Sequence, residues 1–163
     1  MLADGIFISK LSYLISLWGG SEKYLIKSLQ VIQNKAARVV TRLDWQTHTH
    51  VLLSQCGWLS VHQLAVYHTV VLVHKVLMSG SPQYLYNLFS QKYLCETRFS
   101  DMKLIKPSQT KAPEHDLATN SFRWRAIQDY NSLSLDIRNT ASIDKFKRLA
   151  KVWIMKNVSI NQP

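Results

Sequence analysis

The sequence predicts an all-α protein, an irregular helical bundle with a long polar loop and a small C-terminal helical tail. Three observations lead there. Apolar residues between positions 25 and 43 recur at alternating steps of four and three, the period of one helix face. Serines able to cap a helix N-terminus stand before helical runs at Ser60, Ser121 and Ser142. Glycines close three runs, at Gly19-Gly20, Gly57 and Gly80.

Residues 6–18, IFISKLSYLISLW, read as one strongly apolar helix ended by Gly19-Gly20. The run EKYLIKSLQVIQNKAARVVTRL follows at 22–43. Its seam is Leu25, Leu29, Ile32, Ala36, Val39 and Leu43, and the opposite surface carries Lys23, Lys27, Lys35, Arg38 and Arg42. A short helix is expected over 48–55, closed by Gly57. Ser60-Val61-His62-Gln63 has the S-x-x-Q form of a capping box and should start a helix that runs to Met78 and stops at Gly80. Ser81-Pro82 restarts a helix, with Ser81 as cap and Pro82 at the first helical position.

Residues 91–119 change character. They are polar, contain Pro107 and Pro113, and lack helical periodicity, which gives an irregular connection with short extended pieces at Glu96–Phe99 and Lys103–Lys106. Ser121 caps a helix through Tyr130 whose docking face is Phe122, Trp124, Ile127 and Tyr130. Ser142 caps a last helix to Lys156, burying Phe146, Leu149, Trp153 and Ile154. The domain reading is a helical body at 1–90, a connection at 91–117 and a C-terminal helical extension at 118–163.

Composition narrows the function. Hydrophobic residues are 47% of the 163, enough for a real core, and the net charge of +10 favours a polyanionic partner. The charge is uneven: +3 over residues 1–50, +1 over 51–90 and +6 over 91–163. Cys56 and Cys95 are too few for a disulfide scaffold, which suits a reducing, intracellular setting, nucleus or cytoplasm. Asp4 and Lys10 do not fit a secretory signal, and no uncharged apolar stretch reaches membrane-spanning length.

Catalytic chemistry has little to stand on. The ten acids include no adjacent pair suited to hold a divalent metal. His48, His50, Cys56 and His62 could be weighed as zinc ligands, but their spacing fits no zinc pattern, so helix histidines are the better reading. There is no nucleophile elbow and no glycine-rich phosphate loop. The expectation is no catalytic residue, no metal and no cofactor. What remains is nucleic-acid binding: the basic face of 23–42 offers Lys23, Lys27, Lys35, Arg38 and Arg42 to phosphates, and few acids stand among them. Lys145, Lys147, Arg148 and Lys151 repeat the pattern more weakly.

A resemblance adds to this reading. Tyr13…Trp18-Gly19, Leu29-Gln30…Gln33-Asn34-Lys35-Ala36…Arg38, Gly57-Trp58-Leu59, Pro82…Tyr84-Leu85…Phe89, Thr97-Arg98, Tyr130-Asn131-Ser132-Leu133, Ile137-Arg138 and Phe146-Lys147 follow one another in an order and spacing that is similar to the region after the catalytic palm in reverse transcriptases of non-LTR (LINE-like) retrotransposons. No one of these pieces is diagnostic; together they cover nearly the whole chain. The resemblance implies a helical thumb and C-terminal extension that packs beside a template–primer duplex, with the RNA-directed DNA polymerase palm upstream. The palm's aromatic-x-Asp-Asp turn has no match here, and neither has the cysteine-histidine knuckle of some relatives. Tyr130-Asn131-Ser132-Leu133-Ser134 stands where some relatives read Trp-Asn-x-Leu-Pro. The implied molecule is a non-catalytic, polymerase-derived fragment that contacts nucleic-acid backbone without reading sequence, and whose partners are nucleic acid and the missing palm. The competing expectation is a protein-interaction domain or inert relic that self-associates through the apolar segment 6–18.

Overall fold

The computed structural model describes residues 4–21, 23–89 and 121–159. Every regular element among them is helical. A π-helical turn at Asp4–Ile8 leads into α1 (Ser9–Ser12) and α2 (Ile15–Trp18); then come α3 (Lys23–Thr41), α4 (Thr49–Cys56), α5 (Val61–Ser79), α6 (Gln83–Phe89), α7 (Phe122–Ser132), α8 (Leu135–Arg138) and α9 (Ile143–Asn157). The all-α fold follows from the sequence as expected. The connection read at 91–117, with its extended pieces at 96–99 and 103–106, lies outside the described residues.

Helix α5 is the axis of the fold, and α1, α2, α3, α6, α7 and α9 all pack on it. Its start is set locally. The Gln63 N–H donates to Ser60 Oγ at 3.2 Å, and the Ser60 N–H donates to Gln63 Oε1 at 3.1 Å, the reciprocal pair of a capping box. It ends at Gly80, whose φ of 67° is a left-handed conformation that costs glycine little. Gly57 ends α4 in the same way, at φ 67°. Between these caps α5 is apolar on nearly all sides, as a helix must be when it is covered on nearly all sides.

The main core lies along the C-terminal half of α5. Val66, Val70, Val73 and Val76 meet Phe89 of α6, Ala126, Ile127 and Tyr130 of α7, and Phe146, Ala150 and Ile154 of α9. His74 sits at its centre with its ring stacked on Phe146, centroids 3.7 Å apart and planes 2° from parallel, while its Nδ1 lies 3.2 Å from the Tyr130 hydroxyl. The C-terminal helices thus share one core with the N-terminal body. A second cluster joins Leu11 and Ile15 to Leu59, Val61, Leu64 and Ala65; a third joins Ala37, Leu52, Leu53 and Trp58. No single described helix is long and apolar enough to cross a membrane; α4 and α5 pass that test only as a pair bent by 48°.

Four local expectations are corrected. Residues 6–18 are not one helix. Tyr13 is extended and Leu14 adopts a left-handed φ of 50°, which separates α1 from α2. A continuous helix would project its apolar residues all round, and the break instead buries Leu11 and Ile15 against α5 and leaves Tyr13, Leu14 and Leu17 exposed. Helix α6 begins one residue late: Pro82 occupies the cap position, its carbonyl accepting from the Leu85 and Tyr86 N–H groups, and Ser81 does not cap. In α9 the buried row is Phe146, Ala150 and Ile154; Leu149 is exposed and Trp153 half-buried. Positions four apart stack on one face, and Leu149 falls beside that row rather than on it.

The fourth correction concerns α3. Its buried side runs through Gln33 and Ala37, and the apolar seam read from the spacing is rotated outward, with Leu25 43%, Ile32 50% and Val39 80% exposed. The reason is polar. The link into α5 presents backbone groups that helix geometry leaves unpaired. Gln30 Oε1 accepts from the Val61 N–H at 2.9 Å, and Gln33 Nε2 donates to the Leu59 carbonyl at 2.8 Å. Gln30 Nε2 also donates to Gln33 Oε1 and Asn34 Oδ1, and Asn34 Nδ2 donates to Thr49 Oγ1 at 3.0 Å. A buried amide left unpaired would cost about 1–3 kcal/mol. Satisfying this ladder therefore decides which way α3 faces.

Candidate nucleic-acid interface

Helix α3 places the basic residues. At about 100° per residue, Lys23, Lys27, Arg38 and Lys35 fall within an arc of about 120°, along about 22 Å of helix axis. That arc borders the amide ladder: Asn34 falls within it, and Gln30 lies about 20° to one side of Lys23. Lys23, Lys27 and Lys35 are exposed, as is Arg42 just past the helix end, where a left-handed φ of 55° turns the chain. Among the described residues none of these four has an ion-pair partner. Arg38 departs from the set. It is half-buried, and its guanidinium carbon lies 5.5 Å from the centroid of the Trp45 ring, a cation–π arrangement. Residues 5–43 contain Glu22 alone against six Lys and Arg, so the field over this surface is positive.

On α9 the basic residues are more occupied. Lys147 Nζ lies 3.3 Å from Asp144 Oδ1, and Lys151 Nζ donates to the Gly57 carbonyl at 3.4 Å. Lys145 and Arg148 are exposed.

The stretch Phe122-Arg123-Trp124-Arg125 is scaffold. Ser121 Oγ caps α7 by accepting from the Trp124 N–H. Trp124, Ala126, Ile127 and Tyr130 are buried, and Phe122 meets Phe89 edge to face at 6.1 Å. Arg125 has a role that sequence reasoning missed. Its Nη2 donates to the carbonyls of Ser16 and Leu17, at 3.2 and 3.1 Å, closing the end of α2 onto α7 across more than 100 residues of chain. Gly20 makes room for it: a Cβ there would come within 2.2 Å of Arg125 Nε. A Cβ on Gly19 would come within 2.5 Å of the Ala65 Cβ. The Gly19-Gly20 pair is therefore a close-approach site as well as a stop. Only a pairing of distant segments shows this, and no local pattern carried it.

Burial shifts several titratable groups of α5 and α7. Burial lowers the pKa of His62, His68 and His74 below their usual 6.5; Arg125 lowers His62 further, and the Thr140 backbone acts weakly the other way on His74. Burial raises Asp129 from 3.8 to about 6, opposed by the nearby Arg125 charge. The signs oppose each other. The three histidines contribute fully above about pH 6.5, and that stability is lost as pH falls from there through their folded values. Asp129 does the reverse: its folded form takes up a proton first, so stability is regained as pH falls from about 6 to 3.8. The Asp129→Asn variant should therefore be more stable than the parent at pH 7 and lose stability more steeply below pH 6. Melting temperatures measured from pH 8 to pH 4 check this; parallel curves for the two proteins would refute it.

Among the described residues no three His, Cys, Asp or Glu side chains gather as a metal site. His48 and His50 stack with ring centroids 6.0 Å apart. Comparison with protein-family models, curated proteins and solved structures returns no match.

Proposed function

We propose that this chain is a non-catalytic nucleic-acid-binding helical module, resembling the thumb and C-terminal extension of a non-LTR retrotransposon reverse transcriptase. The observation that carries the reading is the exposed row of Lys23, Lys27 and Lys35 on α3, continued by Arg42, with no acid on that face. The amide ladder fixes the rotation of α3 by binding it to the start of α5, which leaves these side chains at the surface. From Lys23 to Lys35 the row runs about 18 Å, which spans about five phosphates of one strand. Such contacts grip the backbone and carry no sequence information. Arg38 contributes through Trp45, whose exposed ring is placed to meet a base or sugar.

Binding of the full chain to an RNA–DNA hybrid duplex, followed by fluorescence anisotropy, should weaken with salt. Four phosphate contacts give an affinity loss of about 100-fold between 50 and 200 mM salt. The triple variant Lys23→Gln, Lys27→Gln, Arg42→Gln should lower the log–log salt slope by about three. Affinity independent of salt, or a triple variant with the parent slope, would overturn the proposal.

A further inference from the structure

The outward rotation of the α3 seam leaves a second feature that phosphate binding does not use. Between α3 and the α1–α2 segment runs a groove of about 490 Å³, lined by Tyr13, Leu14, Trp18, Leu29 and Ile32 and by Lys10. It continues onto exposed apolar surface, since Leu25 and Val39 lie seven residues either side of Ile32 on the same line of the helix. Leu14, 52% exposed in one wall, holds a left-handed backbone that a leucine side chain disfavours.

We infer that this groove binds one amphipathic helix of a partner protein, apolar at i, i+4 and i+7 and acidic on its flanks. Four observations select that occupant. The α3 wall is helical with its backbone groups spent on intrahelical bonds, and in the other wall the Tyr13 carbonyl already accepts from Trp18 Nε1, so an extended strand finds no edge to pair with. The surface is a shallow open groove along a helix, which a ridge of helix side chains can fill. The alternating four–three spacing of Leu25, Leu29, Ile32, Ala36 and Val39 is the spacing onto which another helix packs its own apolar row. Charge sets the flanks: Lys10 lies in the wall and Lys35 is one turn from Ile32, while Glu22 is the sole acid of residues 5–43. That excess opposes a second copy of this chain, which would bring like charge to like, and favours Glu or Asp.

The test uses the full chain and a fluorescent synthetic peptide of about 18 residues, with Leu at the apolar positions and Glu on both flanks. Saturable binding is expected, weaker by at least about tenfold when the Glu residues are exchanged for Lys. The double variant Leu14→Asn, Ile32→Gln should lose at least about tenfold in affinity. Asn tolerates the left-handed backbone and Gln suits an exposed helix site, so helicity should be kept. In the parent protein, titration should shift the methyl resonances of Leu14, Leu29 and Ile32, a readout that does not depend on the variant. The double variant should keep the salt slope for the hybrid duplex, so this inference and the nucleic-acid proposal fail separately. Lack of saturable binding, or equal affinity for the Glu and Lys peptides, overturns the inference. So does a dimer in sedimentation velocity that Ile32→Gln dissociates, which assigns the groove to a second copy. Co-flotation with anionic phospholipid vesicles, lost in the double variant, assigns it to a bilayer and also overturns the inference.

Discussion

Replacing Phe146 with alanine should lower the free energy of unfolding by about 3–5 kcal/mol. Phe146 is fully buried where α5, α7 and α9 meet, and its ring lies flat on His74 at 3.7 Å. Truncation would remove an aromatic side chain from the centre of the main core and leave a cavity beside an imidazole. Neighbours cannot readily collapse into it, because His74 is also held at the Tyr130 hydroxyl, 3.2 Å from Nδ1. Burial pushes that hydroxyl up to about pKa 12, so the contact stays neutral across the working pH range. Phe146→Leu keeps much of the volume and should cost less than half as much. Urea unfolding followed by circular dichroism measures both; a loss under about 1 kcal/mol for the alanine variant would mean that the three helices do not depend on this contact.

Trp124→Ala should be comparably costly, again about 3–5 kcal/mol. Trp124 is buried at 8% exposure, and its Nε1 donates to Gln128 Oε1 at 3.2 Å, so truncation opens a void and removes a hydrogen bond. The informative part is the pairing of measurements. Melting temperature should fall sharply, while affinity for the hybrid duplex, measured well below the new transition, should stay within about twofold of the parent. Lost binding with an unchanged melting temperature would mean that Phe122-Arg123-Trp124-Arg125 is a binding surface after all. The position of Arg125 argues against that, because two carbonyls of the N-terminal segment already occupy its Nη2.

How much of this was legible depends on the range of the interaction. The Ser60–Gln63 capping box, the Ser121 and Ser142 caps and the glycine ends at Gly57 and Gly80 were all readable in advance, and each is a contact within a few residues. The docking face of α7 was readable too, since Trp124, Ile127 and Tyr130 recur at helical spacing and are buried. The basic row on α3 was visible as residues, and the structure places Lys23, Lys27, Lys35 and Arg42 at the surface while drawing Arg38 to Trp45. The seam of α3 misled, because apolar spacing is an argument about area and the winning term was hydrogen bonding. Gln30 and Gln33 stand on the side of α3 that faces the protein, bonded to the Val61 N–H and the Leu59 carbonyl.

Taken alone, the sequence determined the all-α class, most helix ends and the presence of a cationic helix. Caps, stops and periodicity act between residues at most a turn or two apart, and those neighbours are the same in any tertiary arrangement. Only the tertiary structure decided which side of α3 is buried, why Gly19 must be small and how Gly20 leaves room for Arg125, and where the apolar segment breaks at Leu14. Each of those depends on a group brought in from elsewhere in the chain: the Leu59 carbonyl for Gln33, the Arg125 guanidinium and Ala65 for the glycines, and the α5 surface for Leu11 and Ile15. Two backbone groups paired by α3, each costing about 1–3 kcal/mol if left unpaired on burial, are comparable with the gain from covering aliphatic side chains, and α3 faces the protein with its glutamines while the expected seam lies exposed.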